Sequence, residues 1–424
     1  MTRIAFTRSI ELSQTRPWLA ELVTKGCQNG DEFALFYTDG PVSEVDFPGE
    51  KFEIDPSTSP GELVGRILEW GPDLVVSLSI PDENAIRDSV AAAMLRGHGI
   101  PAVMHPIDMT VMLSDKARTK TLLESARVPV PPSFSVDGDL LNGRAQAVPG
   151  YQDAIVHRAE SLGYPLIVKP LWACLGQGMT VLRDAGDLAA WLEEPHDGNV
   201  LIEKFIVGEL VSVEMVGDQT SVMIQPPLWM GTTGDGPVFT FERVRYAAPR
   251  CDADKQLRTV TWQVAHLVQR IGIAGAVDLD LVWDGEQAWV LEINPRVSGA
   301  TTLSVAASSQ NTYEALVSIG RSEWDGPGKW HAERTAIAAQ IPLLRGADHL
   351  LAETMTLVRT ATYHVEGREL PNVVVKIDPD RLPAASAAFT RALSEGVISV
   401  DVHRQIQRMA MSIGPTEQSL RVAI

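Results

Sequence analysis

Leu291-Glu292-Ile293-Asn294-Pro295-Arg296 closes a pair of alternating apolar segments that opens at Ala274-Gly275-Ala276-Val277-Asp278-Leu279-Asp280. Between them lies Trp283-Asp284-Gly285-Glu286, and Asp-Gly between alternating apolar runs is a hairpin signal. Successive side chains of a strand point to opposite faces. The hairpin therefore sets Asp280 beside Glu292, with Asn294 two residues along on the same face. Two carboxylates and an amide oxygen make a hard, all-oxygen site suited to Mg²⁺. Asp278 shares that face as a supporting group, a substrate contact or a solvated acid. Arg296 stands next to the set, where a guanidinium can face a phosphate. The combination points to phosphoryl chemistry.

The chain around this hairpin has 424 residues, too many for one ordinary core, so two or three domains are expected. A hydrophobic content of 45% with 21% charged residues describes a globular protein, and no apolar run approaches the length of a membrane span. Met1-Thr2-Arg3-Ile4-Ala5-Phe6 leads into a strand pattern without the features of a signal peptide. Cys27, Cys174 and Cys251 are widely separated, which argues against a disulfide framework or a structural zinc site and fits a cytoplasmic location. The net charge of −18 argues against nonspecific nucleic-acid binding but not against a small anionic substrate.

The first hundred residues alternate strands (3–7, 33–37, 73–78) with amphipathic helices (62–70, 84–98), the pattern of an open, largely parallel α/β sheet. No GxGxxG follows the first strand, so dinucleotide binding has little support. Ser114-Asp115 caps a helix over 116–126, and Pro129, Pro131 and Pro132 end it. Further strands are expected at 165–169, 200–203, 209–224, 335–341 and 373–377, and helices at 254–271, 311–319 and 383–394. Residues 231–236 have the Gly/Thr composition of a mobile loop, and 324–328 carry a boundary signal.

Lys169-Pro170 ends one β-branched strand and is followed by Gly176-Gln177-Gly178. Glycines let backbone N–H groups approach phosphate oxygens, and the lysine adds a point charge. The loop is not a Walker A sequence, and taken alone a short glycine-containing hairpin turn explains it more simply. Glu203-Lys204-Phe205-Ile206 ends another strand, with Gly208-Glu209 just beyond. That segment is either an extended hinge for an adenine edge and ribose hydroxyls, or a solvated Glu-Lys pair before a turn. Lys116 lies on the preceding helix, exposed or reaching toward a phosphate.

In this order the elements resemble the ATP-grasp superfamily, particularly its carboxylate–amine ligases of the D-alanine–D-alanine ligase kind. Biotin carboxylase and the carbamoyl phosphate synthetase large chain share that core. The resemblance runs from about Ser114 to Gly320 and is most specific over Gly275–Arg296. It implies an α/β chain, α+β in the nucleotide-binding part: an N-terminal open α/β pre-domain (1–112), an ATP-grasp domain (113–325, with halves of about 113–207 and 208–325) and a small C-terminal α+β domain (326–424). By the same resemblance, Lys116 and Lys169 bind the phosphates of ATP, and Gly176 and Gly178 lie in a loop over them. Glu203 faces the adenine amino group, Lys204 and Ile206 give hinge backbone contacts, and Glu209 holds the ribose. Asp280, Glu292 and Asn294 ligate two Mg²⁺ ions, with Mn²⁺ as a substitute. Arg296 stabilises the phosphoryl group in transit, Arg245 occupies the place of a phosphate-contacting lysine, and Ser298-Gly299 stand where an acceptor carboxylate is often contacted.

The activity so implied is ATP-dependent amide or peptide bond formation between small molecules, amino acids or short peptides, through an acyl phosphate. A carboxylase or carbamoyl-phosphate-type enzyme keeps the acyl phosphate and changes the acceptor. A non-catalytic ATP-binding module is the reading from another class. Partners are then small carboxylates and amines, with a homodimer expected by analogy and neither nucleic acid nor membrane involved. No GxSxG, HExxH or paired Cys–His pattern supplies a protein nucleophile.

Overall fold

The computed structural model describes residues 1–413 except 10–11, 39–41, 81, 173–176, 235–239, 251, 327, 329, 347–348 and 366–367. Gly176, Cys174 and Cys251 therefore lie outside the described residues. Three sheets organise the rest. Strands β1 (Arg3–Arg8), β2 (Glu32–Tyr37), β3 (Glu50–Glu53), β4 (Leu74–Ser77) and β5 (Ala102–Val103) form the first, all parallel, in the order β3-β2-β1-β4-β5. Ile4 and Phe6 face a core shared with Leu19 and Val23 of the helix Trp18–Gln28. Ala5, between them, faces Leu63 and Ile67 of the helix Pro60–Trp70. Coverage on both faces is why these strands are almost continuously apolar. Ser59 and Glu62 close a capping box at the start of that second helix, which begins two residues earlier than the expected 62–70.

The second sheet holds β6 (Ser133–Val136), β7 (Leu166–Pro170), β8 (Thr180–Leu182) and β9 (Val200–Lys204) in the order β6-β9-β7-β8, antiparallel throughout. It packs on the helices Tyr151–Leu162 and Ala185–Glu193 through Ile155, Ala159, Leu188 and Trp191. The third sheet contains β10 (Glu209–Gly217), β11 (Val222–Ile224), β12 (Leu228–Thr232), β13 (Arg245–Ala247), β14 (Gly275–Trp283), β15 (Ala288–Asn294), β16 (Ile337–Pro342), β17 (Thr356–Val365) and β18 (Arg368–Ile377). Its order is β15-β14-β10-β12-β13-β16-β18-β17, with β11 on β10.

One face of this large sheet is the main core. Val211, Trp229, Leu279, Ile293, Ile341 and Val375 pack there against the helices Asp254–Arg270, Leu382–Ser394 and Val400–Ser412. The other face carries Ser212, Glu214, Asp278, Asp280, Arg245 and Gln340. In residues 326–424, read as a small C-terminal α+β domain, β16 pairs with β13 and the sheet continues through the C-terminal strands. An unpaired β13 edge would expose a row of backbone donors and acceptors, and β16 satisfies them. Of the expected loop at 231–236, Gly231 and Thr232 instead end β12, and residues 235–236 lie outside the described residues.

His105 ties the first sheet to the third. Its Nδ1 accepts from the Ala274 N–H at 3.1 Å, so Nε2 carries the proton and donates to the Ala276 carbonyl at 2.8 Å. Gly275, between them, has φ +140, and a Cβ there would sit 3.6 Å from the imidazole. Burial, helped by the Arg96 charge and opposed by the Ala276 hydrogen bond, pulls the imidazole pKa down to about 4. The unfolded chain, with an ordinary pKa near 6.5, binds that proton first as pH falls. About 3 kcal/mol of stability present above pH 6.5 is therefore expected to drain away between pH 6.5 and 4. Urea unfolding of wild type and His105→Gln at several pH values tests this, since the variant should lose much of that slope. Parallel pH profiles would rule His105 out as the cause.

Candidate active site

The β14–β15 hairpin is built as the sequence indicates, with Asp284 Oδ1 accepting from the Glu286 and Gln287 N–H groups at 2.9 and 2.8 Å. Asp280 pairs with Glu292 and Asp278 with Asn294. One feature was not foreseen: Leu281 pairs with Val290, so Leu291 is an extra residue. Ala288 and Val290 point into the core before this bulge and Ile293 after it. The change of phase is what turns Glu292 to the face of Asp280. Asn294 Nδ2 donates to Asp280 Oδ2 at 3.2 Å.

Asp278 is buried and fully engaged. Ser212 Oγ donates to one oxygen at 2.7 Å, and Arg296 Nη1 approaches the other at 3.4 Å. Of the three roles open in the sequence, clamping Arg296 is the one its contacts fit. Arg296 is also tethered by its own N–H to the Asn294 carbonyl at 2.9 Å.

Three lysines reach this region, two from the helix Lys116–Ser125, which packs on the large sheet, and one from β7 of the smaller sheet. Asp115 caps the helix Lys116–Ser125 by accepting from the Ala117 and Arg118 N–H groups. Lys116 Nζ then lies 3.3 Å from Glu292 Oε2. One turn on, Lys120 donates to Glu203 Oε2 at 2.6 Å, and Lys169 donates to Glu203 Oε1 at 2.6 Å. Glu203 is 1% exposed, so its carboxylate bridges two ammonium groups out of water. Burial pushes the Glu292 carboxyl up, but Lys116, Lys169 and Arg296 outweigh it and hold it below its ordinary range. Asp280 goes the other way, raised by burial and by the charges of Asp278 and Glu292. Carboxylates crowded in this way, with only oxygen donors, suit a hard divalent cation. Among the described residues no three His, Cys, Asp or Glu side chains group to hold a metal, so the amide of Asn294 completes the expected set.

Glu209 accepts from Arg250 Nη1 with both oxygens at 2.9 Å, and Arg250 also pairs with Asp252 at 2.6 Å and lies 4.1 Å over the Trp229 ring. The Lys204 amine is taken up by the carbonyls of Gly163 and Tyr164, both at 2.9 Å, which leaves its backbone for any hinge role. The Ile206 carbonyl already accepts from Thr233 Oγ1 at 2.9 Å. Gly178 has φ +69, and a Cβ there would meet Pro170 Cγ at 2.9 Å, so the turn after β7 requires glycine. Arg245 stands apart from the lysines, on β13, donating to Gln340.

Residues 113–300 match the family model of the ATP-grasp domain. The chain carries an ATP-grasp domain. The carbamoyl phosphate synthase large chain of Methanospirillum hungatei is 25% identical over 243 residues, 56% of this chain, and the chain spans only 21% of that relative's length. L-amino acid ligase from Bacillus licheniformis superposes with a TM-score of 0.67 at 15% identity, covering 94% of this chain and 98% of that one. The biotin carboxylase domain dimer of Hydrogenobacter thermophilus 2-oxoglutarate carboxylase, solved with MgADP and bicarbonate, gives 0.66 at 14% identity, covering 90% and 89%. At these identities the structural likeness speaks for the fold.

Around the ATP-grasp domain, sequence reasoning missed Lys120, Arg250 and Glu214. Lys120 had a signal, being four residues from Lys116 and so on the same helix face. Glu214 lies on β10 opposite Asp278 and is 0% exposed. It accepts from the Ser298 N–H at 2.8 Å and from the hydroxyls of Thr301 and Thr312. Burial pushes its carboxyl up to about 7 against these three hydrogen bonds, with Asp278 adding to the rise. It pins the segment just after Arg296, so the backbone of Ser298 serves the arginine loop. Its Oγ accepts from the Ala300 N–H at 3.1 Å. Among the described residues no helix is long and apolar enough to cross a membrane.

Proposed function

We propose that this protein is an ATP-dependent carboxylate–amine ligase, joining small molecules, amino acids or short peptides, by an amide or peptide bond with release of ADP and phosphate. The observation that carries this is the meeting of Lys116 with Glu292 and of Asp278 with Arg296 on one sheet face, beside Asp280 and Asn294. Lysines for a polyphosphate, oxygen ligands for a hard cation and a clamped arginine are what phosphoryl transfer to a carboxylate requires.

A substrate carboxylate attacks the γ-phosphorus of ATP, and the β–γ bond breaks to give ADP and an acyl phosphate. An amine then attacks the acyl carbon and expels phosphate, leaving the amide. Lys116 and Lys169 hold phosphate oxygens, with Gly176 and Gly178 in the loop over them. Glu203, Lys204, Ile206 and Glu209 take the adenosine, the last aimed by Arg250. Arg296 stays with the transferring group and the acyl phosphate, steadied by Asp278. Asp280, Glu292 and Asn294 would hold Mg²⁺, two ions in this reading with Mn²⁺ as a substitute, which when bound offsets triphosphate charge. A cytoplasmic homodimer belongs to the same reading.

The curated relatives favour one second reading, a carbamoyl-phosphate-type or carboxylating enzyme, which shares the first step and differs in the acceptor. Purified protein with Mg²⁺, ATP and a matrix of amino acids and small carboxylates separates the two by following ADP and phosphate. Release that needs both an acid and an amine supports the ligase. Bicarbonate-dependent release without an added acid supports the second reading. Arg296→Ala should lower either by on the order of 10²-fold or more. Tight ATP binding with no release from any pair would leave a non-catalytic module.

A further inference from the structure

The order β3-β2-β1-β4-β5 makes the β1–β4 boundary the switch point of the first sheet, since the chain runs from β1 to one side and returns to β4 on the other. An open parallel sheet leaves its crevice there, beyond the carboxyl ends of the two strands. Two rungs of hydroxyls stand at this place, on the face covered by the helix Asp82–Gly97. In the first rung Thr7 lies opposite Ser77, and both hydroxyls donate to Asp88 Oδ2. Ser9 and Ser79 come two residues later. Leu78 and Ile80, on either side of Ser79, pack on the opposite face with Val216, Ala276 and Val297 of the ATP-grasp domain, so Ser79 faces the helix. Arg87 of that helix donates through Nη2 to Ser9 Oγ at 3.2 Å, and through Nε and Nη2 to Asp88 Oδ1 at 3.0 and 2.9 Å.

The second rung is unfinished. Ser79 is 1% exposed and Arg87 8%, yet the Ser79 hydroxyl and Arg87 Nη1 are buried with no hydrogen-bond partner among the described residues. Ser9 Oγ accepts from Arg87, which leaves its own hydrogen to be donated. Three donors therefore share one rung. Asp88 beside them is already used, each of its oxygens accepting two hydrogen bonds. A water molecule accepts at most two and brings two hydrogens that need acceptors of their own. An anion accepts from all three donors and removes the cost of leaving them buried and unpaired. Asp88 already balances the Arg87 charge, so one negative charge suits the place better than two. A carboxylate meets both conditions and divides its two oxygens between the guanidinium and the hydroxyls.

We propose that Arg87, Ser79 and Ser9 form a second small-molecule site, which takes a monocarboxylate. The site is on the far face of the first sheet from the ATP-grasp domain and shares no residue with those assigned to ATP or to the metal. Its ligand is bound alongside the nucleotide, not in its place. The site stands independently of the ligase reading.

The test uses acetate as the probe, followed by ligand-detected NMR on the full chain with and without saturating MgADP. Saturable binding is expected in both conditions, and acetamide, which keeps the shape without the charge, should bind about tenfold more weakly or worse. Ser79→Ala should weaken acetate by about tenfold. Because this variant removes an unpaired buried hydroxyl, it should not lower the melting temperature of the ligand-free protein. Arg87→Met should abolish binding. It also strands Asp88, so Ser79→Ala carries the test if that variant does not fold. The proposal is overturned if acetate does not saturate, if it binds Ser79→Ala as it binds wild type, or if acetamide binds equally well. It is also overturned if MgADP displaces acetate, or if inorganic phosphate binds more tightly than acetate and is lost in the same variant. ADP release plays no part in the readout, so failure of the ligase reading would show elsewhere.

Discussion

Asp280→Asn is expected to lower ATP turnover by on the order of 10²–10³-fold and yet to raise the melting temperature of the metal-free protein. The two effects share one cause. Asp280 faces Glu292 across the hairpin and lies within the field of Asp278, and its carboxyl is held above the ordinary range by burial and by those charges. Without a cation, neutralising it relieves that repulsion. Asparagine keeps the shape and still accepts from Asn294 Nδ2, so little else changes. With Mg²⁺ the order reverses, because the wild type gains the ligand and the variant has lost a charge that holds it. Scanning calorimetry in EDTA and in excess Mg²⁺, beside an ADP-release assay, reads all of this. A variant that melts lower than wild type in EDTA would show that the carboxylates are not in conflict.

The largest loss of stability is expected from Glu203→Gln, at about 3–5 kcal/mol. The carboxylate bridges Lys120 and Lys169 at 2.6 Å each, and all three side chains are buried. Removing its charge leaves two ammonium groups facing each other out of water. Lys120 supplies the diagnostic partner. In wild type, Lys120→Met should destabilise by removing half of the bridge; in Glu203→Gln it should stabilise by removing an uncompensated charge. Burial already lowers the Lys120 pKa despite the opposing pull of Glu203. Without the carboxylate the folded protein sheds that proton at lower pH still, so the deficit is greatest at neutral pH and shrinks as pH rises. Urea unfolding of the four proteins completes the cycle, and additive effects without the change of sign would refute the bridge.

The fold was legible wherever local pattern and burial agree. The first sheet could be traced because its parallel strands are covered on both faces, and the hairpin because Asp284-Gly285 sets its turn. Of the candidate site, strand spacing was enough to bring Asp280, Glu292 and the neutral Asn294 together, with Arg296 next to them. What escaped depends on contacts distant in sequence. Glu214 reads as one more acid in a strand until Ser298, Thr301 and Thr312 close on it from 84 to 98 residues away. Arg250 is visible as a partner of Asp252, but nothing local announces Glu209, 41 residues earlier. What joins the C-terminal strands to the rest is equally non-local: the pairing of β16 with the three-residue β13 is not announced by any local pattern.

The bulge at Leu291 makes β15 a message written in two frames. Ala288 and Val290 are read into the core in one phase, and Ile293 in the other. Leu291, which supplies no chemistry, is the frame-shift between them. Its place in the count is what sets the phase of the strand on either side. A gapless alignment of this strand with a bulge-free hairpin would match Glu292 to a core position on one side of Leu291 or displace Val290 on the other. Kinship over this segment is therefore best judged from the two ends inward, turn and Asn-Pro-Arg separately, with the difference in length falling at the bulge.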